Sequence, residues 1–212
     1  AIDPTAVDIT ASEIGVMTTL TDLGRDSASR NVGADIGKLF GDGLAKKVDS
    51  DLASLFTSFS TDVGSAGTEL TPELLFKAQA TLRALNIPAP YYAVFNPKAC
   101  FNLKKVLTNA GYNTSANAIS DVGNQAMRDG FIGRVAGIDV YENANLAIDG
   151  DDDSVGAVFH PASIGLAMKS DLKIETQRDA SIIGTEIVAS MTVGQGIVKN
   201  DYGVKVTVDS AL

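Results

Sequence analysis

The chain has 212 residues, 45% of them hydrophobic, which is enough to bury a sizeable core in one or two domains. Its net charge of -9 sets it against phosphate backbones and argues against a sequence-reading nucleic-acid binder. With one cysteine, Cys100, and one histidine, His160, it can build neither an internal disulfide framework nor a Cys/His metal site.

The first 24 residues read as extended. In "EIGVMTTL", Ile14, Val16, Thr18 and Leu20 alternate with Gly15, Met17 and Thr19, a period of two. From Val32 to Phe59 the period changes. Val32, Ile36, Leu39, Phe40, Leu44, Val48, Leu52, Leu55, Phe56 and Phe59 recur at steps of three and four, the apolar stripe of one long helix. At about 1.5 Å per residue such a rod spans roughly 42 Å, far beyond the ~11–12 residues of an average helix. Gly33, Gly37 and Gly41 share one side of it. Each interior glycine costs about 0.5–1 kcal/mol relative to alanine. Two readings stay open: close approach of another backbone, from this chain or a neighbour, or tolerance of glycine in a helix braced elsewhere.

"STDVGSAGTEL" is small, polar and glycine-rich, and reads as a domain boundary. A second helix opens at "TPELLFKAQATLRALN", with Thr71 as its cap, Pro72 at the first helical position and Glu73 at the positive end of the dipole. A strand over Tyr91–Phe95 follows. Asn96 then caps a helix with Pro97 at its first position and Gly111 past its end, and Cys100 sits inside it as a small buried residue. A further helix is predicted from Ser115 to Asp129, then strands over Ile132–Val135 and Ile138–Tyr141 around a turn at Ala136 and Gly137. "AIDGDDDS" is a loop, Val155–Phe159 a strand, and Pro161 opens a short helix. In the tail, "DLKIETQRD", "GTEIVASMTV" and "VKVTV" read as strands, the last two joined by a turn at "KNDYG" into an antiparallel hairpin.

These elements predict an α+β chain with a discontinuous layout. The rod needs a long apolar surface and the terminal sheet offers one, so the N-terminal third and the C-terminal quarter are expected to form one helix-on-sheet domain. The middle of the chain forms a second.

No catalytic, cofactor-binding or metal-ligating residue is assigned. P-loop, GxSxG, HExxH and GxGxxG signatures are absent, and "VGQG" lies in a strand pair with no helix after it. Any triad would have to use His160, which sits directly before Pro161 where a helix-opening residue belongs. Asp149, Asp151, Asp152 and Asp153 offer carboxylates to a divalent cation, but their spacing does not match an EF-hand and a solvated loop is the simpler reading. No secretory signal and no apolar run near the roughly 18 residues of a spanning helix is present. An acidic chain with an oversized brace and no catalytic set reads as a structural part, not an enzyme.

Four stretches, in this order and spacing, carry a resemblance. They are "NVGADIGKLFGDGLAKKVDSDLASLF", "YYAVFNPKACFNLKK", "DGFIGRVAGIDVYENANL" and the run from "AVFHPASIGLAMKSD" to "NDYGVKV". Together they resemble a tailed-bacteriophage major capsid protein of the Hong Kong 97-like fold, over nearly the whole chain. The resemblance implies a long spine helix on an antiparallel sheet, with an inserted α/β axial domain. The peripheral domain would be residues 1–71 plus 165–212, and the axial domain 72–164. The N-terminal arm and extended loop of such proteins are not found ahead of the spine helix. It implies a structural subunit that self-assembles into hexamers and pentamers of an icosahedral shell, in the virion, after assembly in the host cytoplasm. The subunit would enclose double-stranded DNA without gripping it, beside portal, scaffolding and decoration proteins, with no cofactor and no membrane. Two alternatives remain open: an encapsulin-like nanocompartment shell protein, and a two-domain small-molecule-binding protein or enzyme with a pocket between its domains.

Overall fold

The alternation of residues in "SEIGVMTTLT" produces β1, Ser12–Thr21, in which Ile14, Val16, Thr18 and Leu20 are half-buried and the residues between them exposed. The structure is a computed structural model that describes residues 6–27, 32–108 and 133–211. A short helix α1, Asp22–Ser27, follows, and then the rod α2, Val32–Ser54. Its 23 residues correspond to about 34 Å. The helix does not run unbroken to Phe59: Leu55–Ser58 tightens into a 3-10 turn.

The chain divides into two compact units. One comprises Ala1–Asp51 and Gly165–Gly196, the other Leu52–Ile164 and Ile197–Leu212. In the first, β1 joins two long strands, β7 (Ile164–Asp179) and β8 (Gly184–Ile197), in a sheet of order β1-β8-β7. β1 and β8 run antiparallel with Ile14 opposite Met191, Val16 opposite Ala189 and Thr18 opposite Ile187. Ile14, Val16, Ile187, Ala189 and Met191 form the bed for Ile36, Phe40 and Leu44 of α2. At about 25 cal/mol per Å² of apolar area, one fully buried side chain of this size contributes ~1.5–3 kcal/mol.

The second unit holds a six-stranded sheet of order β2-β9-β6-β3-β5-β4, built from β2 (Thr61–Asp62), β3 (Tyr91–Phe95), β4 (Arg134–Val135), β5 (Ile138–Glu142), β6 (Asp153–Phe159) and β9 (Gly203–Asp209). The pairs β3/β5 and β2/β9 are parallel and the others antiparallel. On one face lie helices α3 (Pro72–Ala84) and α4 (Pro97–Thr108), whose Leu75, Ala78, Leu82, Ala99, Cys100 and Leu103 pack on Tyr91, Ala93, Phe95, Ile138, Val140 and the valines of β9. On the other face Ala53, Phe56 and Phe59 meet Val94, Leu146, Ala157 and Phe159.

Several expectations need correction here. The rod's stripe is not covered by the terminal strands alone: Phe40 and Leu44 rest on β1 and β8, whereas Ala53, Phe56 and Phe59 rest on the sheet of the middle region. Leu39, placed on the stripe by spacing, is exposed because it sits one position off the Ile36–Phe40–Leu44 row. β8 and β9 do not form a hairpin with each other. β9 pairs with β6 along its whole length, because Val204, Val206 and Val208 complete the core under α3. Consequently residues 52–71 and 197–212 belong with the middle segment in this packing, not with the N-terminal third. Thr71 occupies the N-cap of α3, but its side chain makes no capping hydrogen bond. The predicted helix from Ser115 to Asp129, Gly111 and Ile132 lie outside the described residues.

Candidate assembly surfaces

The sequence-singled residues are placed in structural roles. Asn96 Oδ1 accepts from the Lys98 N–H at 3.0 Å, and its Nδ2 donates to the Leu146 carbonyl at 3.1 Å, so one buried side chain both opens α4 and ties down the loop after β5. Cys100 is buried in α4, and burial pushes its thiol up to about 12, where no reactive thiolate forms at neutral pH. His160 Nδ1 accepts from the Ala162 N–H at 3.1 Å and caps the 3-10 turn Pro161–Ser163. Its ring meets that of Tyr202 edge-on at 5.6 Å, and the Lys199 ammonium lies 4.5 Å from the same Tyr202 ring.

The acidic loop is occupied by its own backbone. Asp149 Oδ1 accepts from the N–H groups of Asp151 (3.0 Å) and Asp153 (2.8 Å), and Asp153 Oδ1 accepts from that of Gly67 (2.8 Å). Among the described residues, no group of three or more His, Cys, Asp or Glu side chains is placed to hold a metal ion. A depression of about 440 Å³ is lined by Glu175, Thr176, Gln177, Glu186 and Val188. These residues sit on the exposed strand pair β7/β8, and neither His160 nor Cys100 is among them. Among the described residues, no helix is long and apolar enough to cross a membrane.

Apolar side chains are exposed at the β7–β8 turn and on α1. At the β7–β8 turn, Ile183 has φ +47°, a left-handed conformation that a β-branched residue rarely adopts, and it is 66% exposed. Ile182 and, on α1, Leu23 are exposed as well. The turn is held to α1. The Asp22 N–H donates to the Ile183 carbonyl at 3.0 Å, and the Arg178 guanidinium grips the Asp22 carboxylate with two bonds of 2.6 and 2.7 Å. That guanidinium also holds the Asp22 carboxyl below the usual carboxylate range.

Three of the four glycines of α2 do not serve close packing within the chain. A Cβ built at Gly37, Gly41 or Gly43 meets no atom within 4 Å. Of the two sequence readings, close approach by this chain's own backbone is therefore removed at Gly37 and Gly41.

Strand β7 is longer than the sequence reading had it, beginning at Ile164 rather than at the "DLKIETQRD" segment. It runs 16 residues at the edge of its sheet, nearly every side chain exposed, with Leu166, Met168, Leu172 and Ile174 among them. In "KSDLKIE" charged residues of alternating sign occupy every second position, a pattern that the strand reading of "DLKIETQRD" did not use.

The model of the phage capsid protein family matches residues 5–206. Among solved structures, one from Mycobacterium phage Che8 superimposes with a TM-score of 0.79 at 24% identity, covering 97% of this chain and 75% of that one. The capsid of cyanophage P-SCSP1u gives 0.75 at 18% identity, over 100% of this chain and 78% of that one. The SrpI encapsulin of Synechococcus elongatus gives 0.70 at 11% identity, over 96% and 75%. No curated protein matches the sequence. Long helix, three-stranded sheet and inserted six-stranded unit are the Hong Kong 97-like capsid architecture, and, with the family match running across almost all of its length, the chain belongs to the phage capsid protein family.

Proposed function

We propose that this capsid subunit builds a closed icosahedral shell of hexamers and pentamers around double-stranded DNA in the head of a tailed phage. The observation that carries it is the family match over residues 5–206, on a chain whose strand β7 and apolar residues at its turn are exposed among the described residues. The unit made of α2 and the three-stranded sheet takes the peripheral place in the shell, and the six-stranded unit the axial place at the capsomer centre. The net charge of -9 suits a wall that must not bind the packaged duplex. The role is structural and not enzymatic. Portal, scaffolding and decoration proteins are its partners during assembly, which takes place in the host cytoplasm.

The test is expression of the chain followed by negative-stain electron microscopy and sedimentation. Closed particles tens of nanometres wide are expected; a monodisperse monomer or dimer at every concentration refutes the shell reading. An encapsulin-type shell is the second reading, favoured by the likeness to the SrpI structure. It predicts particles that retain a cargo protein and protect no DNA from nuclease.

A further inference from the structure

Natural sheets guard exposed edges with short strands, prolines, bulges or like charges. β7 does otherwise. It is 16 residues long, against a usual ~5–6, and contains no proline. Its charges do not repel a copy of themselves. Lys169, Asp171, Lys173 and Glu175 alternate in sign along one side of the strand and sum to zero.

We propose that β7 pairs antiparallel with β7 of a second copy across a local two-fold axis through Leu172. This rests on the shell reading and names one contact by which the subunits join. A two-fold perpendicular to the sheet keeps each residue on its own face, so only residues of like parity come opposite one another. Centred on Leu172, the register places Lys169 opposite Glu175 and Asp171 opposite Lys173, each twice. Every charge meets its opposite, and cross-strand pairs of this kind stabilise a sheet. Moving the centre by one residue in either direction brings lysine against lysine and acid against acid. Moving it by two residues toward the turn needs Asp179, whose carboxylate already holds the Ser181 N–H and hydroxyl at 2.8 and 2.7 Å. It also shortens the overlap. A parallel, in-register pairing puts every charge on its like.

The free subunit has the groups ready. Lys173 pairs with Glu175 on its own strand while both remain largely exposed, so each can turn to the partner strand. The Leu172 N–H, at the proposed axis, is covered by the Asp171 carboxylate at 2.7 Å. That is a replaceable cap, since in the pair the same carboxylate turns to Lys173 of the second copy.

The test uses two single variants of the full chain, Asp171→Lys and Lys173→Asp. Each alone sets like charges opposite one another twice, and each should lose assembled particles by sedimentation and electron microscopy while its circular dichroism matches wild type. Mixed in equal amounts, the two edges are complementary again and particles should return. Singles that assemble as wild type, or folded singles whose mixture stays unassembled, overturn the pairing. A Leu172→Cys variant provides an independent measurement, because opposed Cα atoms in such a ladder lie about 4.5–5.5 Å apart, within disulfide reach, and Cys100 is buried. Oxidised particles should run as disulfide dimers. Intact particles without that dimer sink the β7 contact and leave the shell reading standing, whereas wild-type chain that never forms particles sinks the shell reading itself.

Discussion

Phe40→Ala and Leu39→Ala remove neighbouring side chains that helical spacing places on one stripe, and the structure predicts opposite outcomes. Phe40 is 3% exposed and lies against Ile14, Val16, Ala189 and Met191 with Leu44; Leu39 is 69% exposed. Truncating a buried phenylalanine costs about 3–5 kcal/mol, because the transfer energy is lost and the cavity only partly closes. Removal of an exposed leucine stays within roughly 0.5 kcal/mol. A domain has only about 5–15 kcal/mol in total, so Phe40→Ala takes a large share of the helix-on-sheet unit. The two units need not unfold together, so a local readout is required. Amide exchange of β8 in the dissociated subunit serves, with protection of Val188–Val193 expected to fall by about a hundredfold or more for Phe40→Ala, at roughly 1.4 kcal/mol per tenfold. Leu39→Ala should leave it unchanged. Equal effects of the two substitutions would mean that α2 is rotated from the placement described, and that its contact with β1 and β8 is not what stabilises this unit.

Gly156→Ala should destabilise the six-stranded unit by at least about 1–3 kcal/mol in urea titrations, because the new Cβ would sit 2.2 Å from Phe95 Cδ1 and 2.6 Å from the Val94 carbonyl oxygen. Gly37→Ala should instead raise the stability of the free subunit by about 0.5–1 kcal/mol, since its Cβ meets nothing and the unfolded chain loses freedom. Loss of particles despite that gain would show a neighbouring subunit packed on this face. The Asp22 carboxyl is held below its ordinary value, so its contribution is complete above about pH 4 and fades as pH falls through the folded-state value. The protection factor of the Asp22 amide should drop on strong acidification, and Asp22→Asn should abolish that dependence. Cys100, pushed up to about 12, should resist iodoacetamide at pH 8 in the native protein and react once unfolded in urea.

Chain-local rules were legible throughout. The period of two in residues 14–20 gave the sheltered side of β1, since side chains of a strand alternate faces whatever covers them. Asn96-Pro97 marked the start of α4, because a side-chain acceptor and a residue without an N–H meet the needs of a helix terminus. Ala136-Gly137 marked a turn, which the structure realises with φ of +55° and +71°. The Hong Kong 97-like capsid resemblance was legible because it rested on the order of such local elements.

Partner choice was not legible. The alternating valines of β9 fit any apolar face, and nothing within "VKVTV" says which sheet it joins. The decision lies in shape: the Phe59 ring occupies the space a Cβ at Gly203 would need, and the Phe95 ring that of Gly156, so β9 and β6 are seated by rings 144 and 61 positions away in the chain. The sequence by itself determined the type and approximate place of most strands and helices, such as β1, α2, α3 and α4, and, through their order, the family, because those follow from backbone sterics and side-chain period; it missed α1, read as extended, and the first half of β7. Only the tertiary structure decided that the stripe from Val32 to Phe59 is divided between two sheets, that β8 and β9 part company and that β7 is an edge among the described strands, because burial is non-directional and long-range packing alone selects which apolar surfaces meet.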